Sequence, residues 1–96
     1  MKNKLLYSLE DDLKYRLKNP KFKKAWEESE VEYRLAKQLI EKRLSEKISQ
    51  RQLAKKLKTS QAVISRIETM QANPSLSLLK RIAQALNTDL QIQFGR

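Results

Sequence analysis

The twenty residues SQRQLAKKLKTSQAVISRIE (49–68) constrain the fold of this chain more than any other stretch. Ser49 and Ser60 are both helix-capping residues, because a serine hydroxyl can accept a hydrogen bond from one of the free backbone N–H groups that open a helix. Apolar residues follow each at helical spacing: Leu53, Ala54 and Leu57 after Ser49, then Val63, Ile64 and Ile67 after Ser60. The stretch predicts two short helices, over 50–57 and 61–68, with Lys58-Thr59 as the turn. Helices joined so tightly must cross closely, and the small Ala54 midway along the first leaves room for the second.

Two short helices around a three- to four-residue turn make a helix-turn-helix, whose second helix can enter a DNA groove. Leu53, Leu57, Ile64 and Ile67 would fill the wedge between them. The bland alternative is an amphipathic hairpin in a basic protein. Such a hairpin does not require a small residue at Ala54 together with a serine cap on each helix.

Around this centre the apolar spacing continues. Leu5, Leu6, Leu9, Leu13 and Leu17 form one stripe, with Ser8 and Asp11 as a weak capping box. Asn19-Pro20 ends that helix and opens the next, with Asn19 as cap and Pro20 in the first turn. Phe22, Trp26, Tyr33, Ala36, Ile40 and Leu44 then predict one long helix from Pro20 to Glu46, with a kink allowed around Ser29. Thr69 to Asn73 reads as a loop. Pro74-Ser75 opens a last helix with Leu76, Leu79, Ile82, Ala83 and Leu86 inward. LQIQF alternates, with Leu90, Ile92 and Phe94 on one side, and predicts a short strand. A lone strand leaves an unpaired edge, so the reading pairs it with the same strand of a second copy in a two-fold dimer. A tail packed as coil is the alternative. The expected fold is all-α, a helix-turn-helix bundle with an N-terminal helical extension (1–30), a DNA-binding domain (31–89) and a dimerising strand (90–96).

Composition narrows the function. The 96 residues, 40% apolar and 33% charged, fit one small domain with an arm. Lys and Arg number 21 against 11 acids, a net charge of +10 that implies a polyanionic partner. Residues 1–30 contribute +2 of this charge and residues 31–96 contribute +8. No Cys or His is present, which removes disulfides, thiol nucleophiles, imidazole bases and zinc fingers, and the only Gly is Gly95, which removes a Gly-rich phosphate loop. The chain is therefore read as non-enzymatic, with no metal, cofactor or small-molecule ligand. MKNKLLYSLEDD turns acidic too soon for a signal peptide, and no apolar run approaches a membrane span, so a cytoplasmic protein without a membrane partner is expected.

The stretch 49–68 resembles the helix-turn-helix of lambda-type phage repressors, the Cro/repressor or XRE family. The resemblance extends through NPSLSLLKRIAQALNTDL and covers about residues 34–90. LKNPKFKKAWEESEVEYRLAKQLIEKR resembles the N-terminal extension of HigA-type antitoxins, repressor-fold proteins paired with HigB/RelE-like toxins that cleave messenger RNA. The resemblance implies an antitoxin that neutralises such a toxin and represses its own operon at a palindromic operator. It also implies residue roles. Gln50 and Ser60 would hold phosphates at helix starts. Gln61 would bond an adenine edge, and Ala62 would pack on a thymine methyl. Ser65 lies one turn on, and Arg66 would read a guanine or bind phosphate. Arg51 would bind phosphate without regard to sequence. Arg43 and Glu68 would form an internal salt bridge. Lys47, Lys58 and Met70 depart from the pattern, standing where relatives often have glycine. At the Lys58 turn, commonly left-handed, a non-glycine residue costs about 1 kcal/mol. Lys47 and Lys58 are read as solvated, with phosphate contact as the alternative.

The N-terminal apolar residues Leu5, Leu9, Leu13, Tyr15, Leu17, Phe22 and Trp26 admit two readings: a core extension, or a surface for the toxin with Tyr15 and Trp26 as anchors. A stand-alone regulator without a toxin, and a protein-interaction or RNA-binding module, remain the competing functions.

Overall fold

A computed structural model describes residue 11 and residues 14–95. The described residues form five α-helices: α1 (Pro20–Glu28), α2 (Glu30–Ser45), α3 (Gln50–Lys56), α4 (Gln61–Glu68) and α5 (Leu76–Ala85). Ahead of α1, residues 14–16 are helical.

Helix starts follow from side chains that satisfy free N–H groups. The Asn19 side chain accepts from the Lys21 N–H at 2.9 Å, and Pro20 follows in the first turn. Ser49 accepts from the Gln52 N–H at 3.1 Å, while the Gln52 side-chain oxygen accepts from the Ser49 N–H at 2.8 Å. This reciprocal pair is a capping box. Ser75 accepts from the Leu78 N–H at 3.0 Å and starts α5. Ser60 occupies the cap position of α4, but its hydroxyl makes no capping hydrogen bond.

The long helix expected from Pro20 to Glu46, with a kink allowed around Ser29, is two helices that break at that residue. Ser29 ends α1: its N–H bonds the carbonyls of Ala25 and Trp26 at 3.1 and 3.0 Å, and its hydroxyl donates to the same two oxygens. A serine whose side chain binds the preceding turn competes with the helical ladder and bends the chain. α2 then restarts with Glu30 and Glu32 in its first turn and ends with Lys42 and Arg43, the order that complements the helix dipole.

α2 through α5 share one ending. Lys47, Lys58, Met70 and Asn87 all have φ between 56° and 64°. The next residue's N–H reaches back to a carbonyl five residues earlier: Ile48 to Arg43, Thr59 to Ala54, Gln71 to Arg66 and Thr88 to Ala83. This is the Schellman closure, usually built on glycine. A side chain in that conformation costs about 1 kcal/mol at the two lysines and the methionine, and less at Asn87, since asparagine tolerates the left-handed region.

Leu39, Leu53, Ala54, Leu57, Ile64, Ile67, Ile82 and Leu86 make one buried core that draws on α2, α3, α4 and α5. Leu53 and Ile64 are fully buried, each contributing about 1.5–3 kcal/mol relative to exposure. On α2, the buried positions Tyr33, Ala36, Leu39, Ile40 and Arg43 fall on one helical face. Trp26 of α1 meets the Tyr33 ring edge-on at 4.4 Å, which attaches α1 to α2.

Three further expectations need correction or restriction. Leu76, expected to face inward, is 50% exposed, and Leu78 packs against the core instead. The strand expected at Leu90, Ile92 and Phe94 is not formed: residues 89–95 have no regular secondary structure in the single chain. A strand needs an edge to pair with, and the described residues offer none. Leu5, Leu9 and Leu13 lie outside the described residues. Of the same stripe, Leu17 is half-buried; Tyr15, expected as an anchor beside it, is exposed.

Candidate nucleic-acid interface

The site is built on a buried ion pair. Arg43 of α2 and Glu68 at the end of α4 are 6% and 4% exposed. Arg43 Nε donates to Glu68 Oε2 at 2.7 Å, and Nη2 donates to Oε1 at 3.1 Å. Nη1 donates to the Ile48 carbonyl at 2.9 Å. The guanidinium fork thus matches the carboxylate on two atoms and uses a third on the loop before α3. A pair so far from water holds only when its remaining valences are met. Among the described residues no buried side-chain nitrogen or oxygen lacks a partner.

A second layer joins that pair to the surface. Gln50, the first residue of α3, donates from Nε2 to Glu68 Oε1 at 2.9 Å. Its Oε1 accepts from Gln61 Nε2, at the first residue of α4, at 3.3 Å. One chain of hydrogen bonds therefore runs from Arg43 through Glu68 and Gln50 to Gln61. The starts of α3 and α4 are fixed against each other by side chains as well as by the core. The amide of Gln61 carries two N–H donors and one carbonyl acceptor. With one donor given to Gln50, one donor and one acceptor remain, the set that an adenine edge takes in the major groove.

The other residues with expected roles distribute unevenly. Gln61 and Ala62 are exposed in the first turn of α4, and Ser60 is exposed just before it. Arg66 is exposed in the last turn, while Ser65 is half-buried, and its carbonyl accepts from the Thr69 hydroxyl at 2.8 Å. Arg51 is exposed beside Gln50. Tyr15, Leu17, Phe22 and Trp26 lie ahead of α2, away from this constellation in sequence. The Arg16 guanidinium sits 5.7 Å from the centre of the Phe22 ring, and both Phe22 and Trp26 are half-buried.

Gln50 has a role that sequence reasoning did not assign. An amide that donates to Glu68 and accepts from Gln61 is a brace, and the eighteen-residue separation of Gln50 and Glu68 gave no local signal for it. The partner of Ser49 was legible, since serine followed three residues later by glutamine is a capping-box spacing. No group of three or more carboxylates among the described residues is placed to hold a metal. No described helix is long and apolar enough to cross a membrane.

Comparison with known proteins fits this geometry. A family model described as helix-turn-helix (HTH_3) matches residues 39–93, more than half of the chain. The matched region begins within α2 and takes in α3, α4 and α5, leaving α1 outside. No curated protein and no solved structure matches the chain.

Proposed function

The chain belongs to the helix-turn-helix family, as an XRE-type DNA-binding regulator, and from that premise we propose that it is an antitoxin that reads its own operator through α4. The observation that carries the DNA reading is the brace from the buried Arg43–Glu68 pair through Gln50 to Gln61. A side chain held in one orientation loses little entropy when it meets a base, which favours a reading role over a solvated glutamine. In this reading Gln61 bonds adenine, Ala62 packs on a thymine methyl, and Arg66 contacts a base or phosphate. Gln50, Arg51, Ser60 and Ser65 position the backbone.

The antitoxin part rests on the resemblance of residues 17–43 to HigA-type extensions and on the aromatic surface ahead of α2. Residues 1–30, with Leu5, Leu9, Leu13, Tyr15, Leu17, Phe22 and Trp26, form the toxin-binding arm of this proposal. The partner is a HigB/RelE-like nuclease of messenger RNA. A homodimer joined through residues 90–96 would recognise a palindrome with half-sites about 34 Å apart. The exposure of Ile92 (63%) and Phe94 (90%) supports a second chain as their cover. The setting proposed is the cytoplasm.

Co-expression tests the antitoxin reading. The gene adjacent to this one should be toxic alone and harmless with this chain, and removal of residues 1–25 should restore toxicity. A harmless neighbour, or full protection by the truncated chain, would leave a stand-alone regulator as the function. Removal of residues 90–96 should convert a micromolar dimer to a monomer, and an unchanged dimer would refute the pairing.

A further inference from the structure

A basic cleft opens on the side of α3 away from the Gln50–Gln61 contact. It has a volume of about 410 Å³ and is lined by Lys47, Ile48, Gln52, Lys55 and Lys56. At 100° per residue, Gln52, Lys55 and Lys56 fall on the face of α3 opposite Gln50. Ile48 forms an apolar, half-buried floor, and the lysines are exposed. No acidic residue lines the cleft, and none of these three lysines is in an ion pair among the described residues. The Gln52 side-chain oxygen is taken by the capping box, which leaves its amide N–H groups as donors.

Lys55 and Lys56 in the last turn of α3 complement the helix dipole, and that role alone would explain them. It does not explain Lys47, which belongs to the preceding loop and holds a left-handed φ of 57°. Glycine there would be less strained. The third lysine therefore reaches the cleft from outside the helix, where the dipole does not account for it. Arg51 links the cleft to the reading edge: it follows Gln50 directly and stands one helical turn, about 6 Å, before Lys55. Around the axis of α3, Arg51 falls between Gln50 and Lys55, so basic residues step from the DNA-reading edge towards the cleft.

We infer that this cleft is a second phosphate-binding site, which takes the DNA backbone beyond the base pairs that α4 reads. The inference rests on the DNA-reading function proposed above. The site uses charge and shape only, so it contributes affinity and salt dependence without sequence preference.

The test uses a duplex selected by the wild-type protein from a random library, trimmed to its protected core. The same core extended by about ten base pairs on each side serves as the second probe. The variant is Lys47→Gln/Lys55→Gln/Lys56→Gln, whose thermal melt is checked against wild type. Affinity is measured across a salt series for both probes. Each phosphate that the protein no longer neutralises reduces the slope of log K against log salt by about 0.9. On the extended duplex the variant's slope should fall by roughly 2–3, and on the core it should match wild type. An unchanged slope on the extended duplex overturns the inference and leaves an acidic protein as the ligand to seek. An equal fall on both probes also overturns it, since the lysines then act on the core site. Enrichment of a core sequence establishes base reading whichever slope is found. Failure to enrich any core would refute the DNA-reading function, and the inference with it.

Discussion

Replacing Arg43 by leucine tests how the fold is held together. The substitution removes both bonds to Glu68, at 2.7 and 3.1 Å, and the bond to the Ile48 carbonyl at 2.9 Å. Glu68, 4% exposed in the wild type, would keep only the Gln50 amide beside its charge. Breaking one side of a buried pair costs about 3–5 kcal/mol, because the remaining charge cannot return to water without opening the core. Small domains have about 5–15 kcal/mol in total, so Arg43→Leu should remove a large part of the stability. Urea unfolding followed by circular dichroism at 222 nm reads the loss as a lower midpoint at constant slope. The thermal midpoint should fall by roughly 12–40 °C, from about 4–8 °C per kcal/mol for a domain of this size. Arg43→Leu/Glu68→Leu removes both charges and fills the space with apolar groups. It should recover most of the loss, since apolar replacement of a whole buried pair is often close to neutral. A loss below about 1 kcal/mol for the single variant would mean that the pair behaves as an exposed one. A double variant no better than the single would show that the lost stability came from packing around Arg43, not from a stranded carboxylate.

Other substitutions probe the remaining parts. Lys58→Gly should raise the urea midpoint by the equivalent of about 0.5–1 kcal/mol, because its φ of 56° favours glycine; a lower midpoint would contradict the strain argument. Ala54→Leu should cost about 1–3 kcal/mol by overpacking the crossing of α3 and α4, where Ala54 is 2% exposed; near-neutral melting would show slack in that crossing. Trp26→Ala removes the edge contact with Tyr33, so α1 should exchange its amide hydrogens faster while affinity for DNA is unchanged. Weakened DNA binding in that variant would tie α1 to the reading domain.

The legible parts of this chain were those with local causes. Ser49 and Ser75 act as caps because a hydroxyl and a free N–H lie within one turn. Leu53, Ala54, Leu57, Ile64 and Ile67 fall in the core because their spacing gives one buried face to each helix. The Ser29 break was harder to read. A serine inside an apolar stripe is usually tolerated, and only the doubled bonding to Ala25 and Trp26 makes it an end. Asn87 adopts the same left-handed closure as Lys58, but asparagine's tolerance of that region did not mark it against a helical background. Gln50 was legible as the start of α3, not as a brace, because Glu68 and Gln61 come to it only through the folding of two other elements. The tail at Leu90, Ile92 and Phe94 carries a strand pattern, but hydrogen bonding to a neighbour decides whether a strand exists, and the described residues offer no such neighbour.

Base reading by Gln61 is the centre of the account, and a comparison of two variants on two duplexes tests it most directly. Affinities of Gln61→Ala and Arg51→Ala are measured on the selected core duplex and on a scrambled duplex of equal length at one salt concentration. Gln61→Ala should lose about 1–3 kcal/mol on the selected duplex, with relaxed preference at one base position, and little on the scrambled one. Arg51→Ala should weaken both alike. Equal losses on both duplexes for Gln61→Ala would show that α4 holds phosphates and does not read bases.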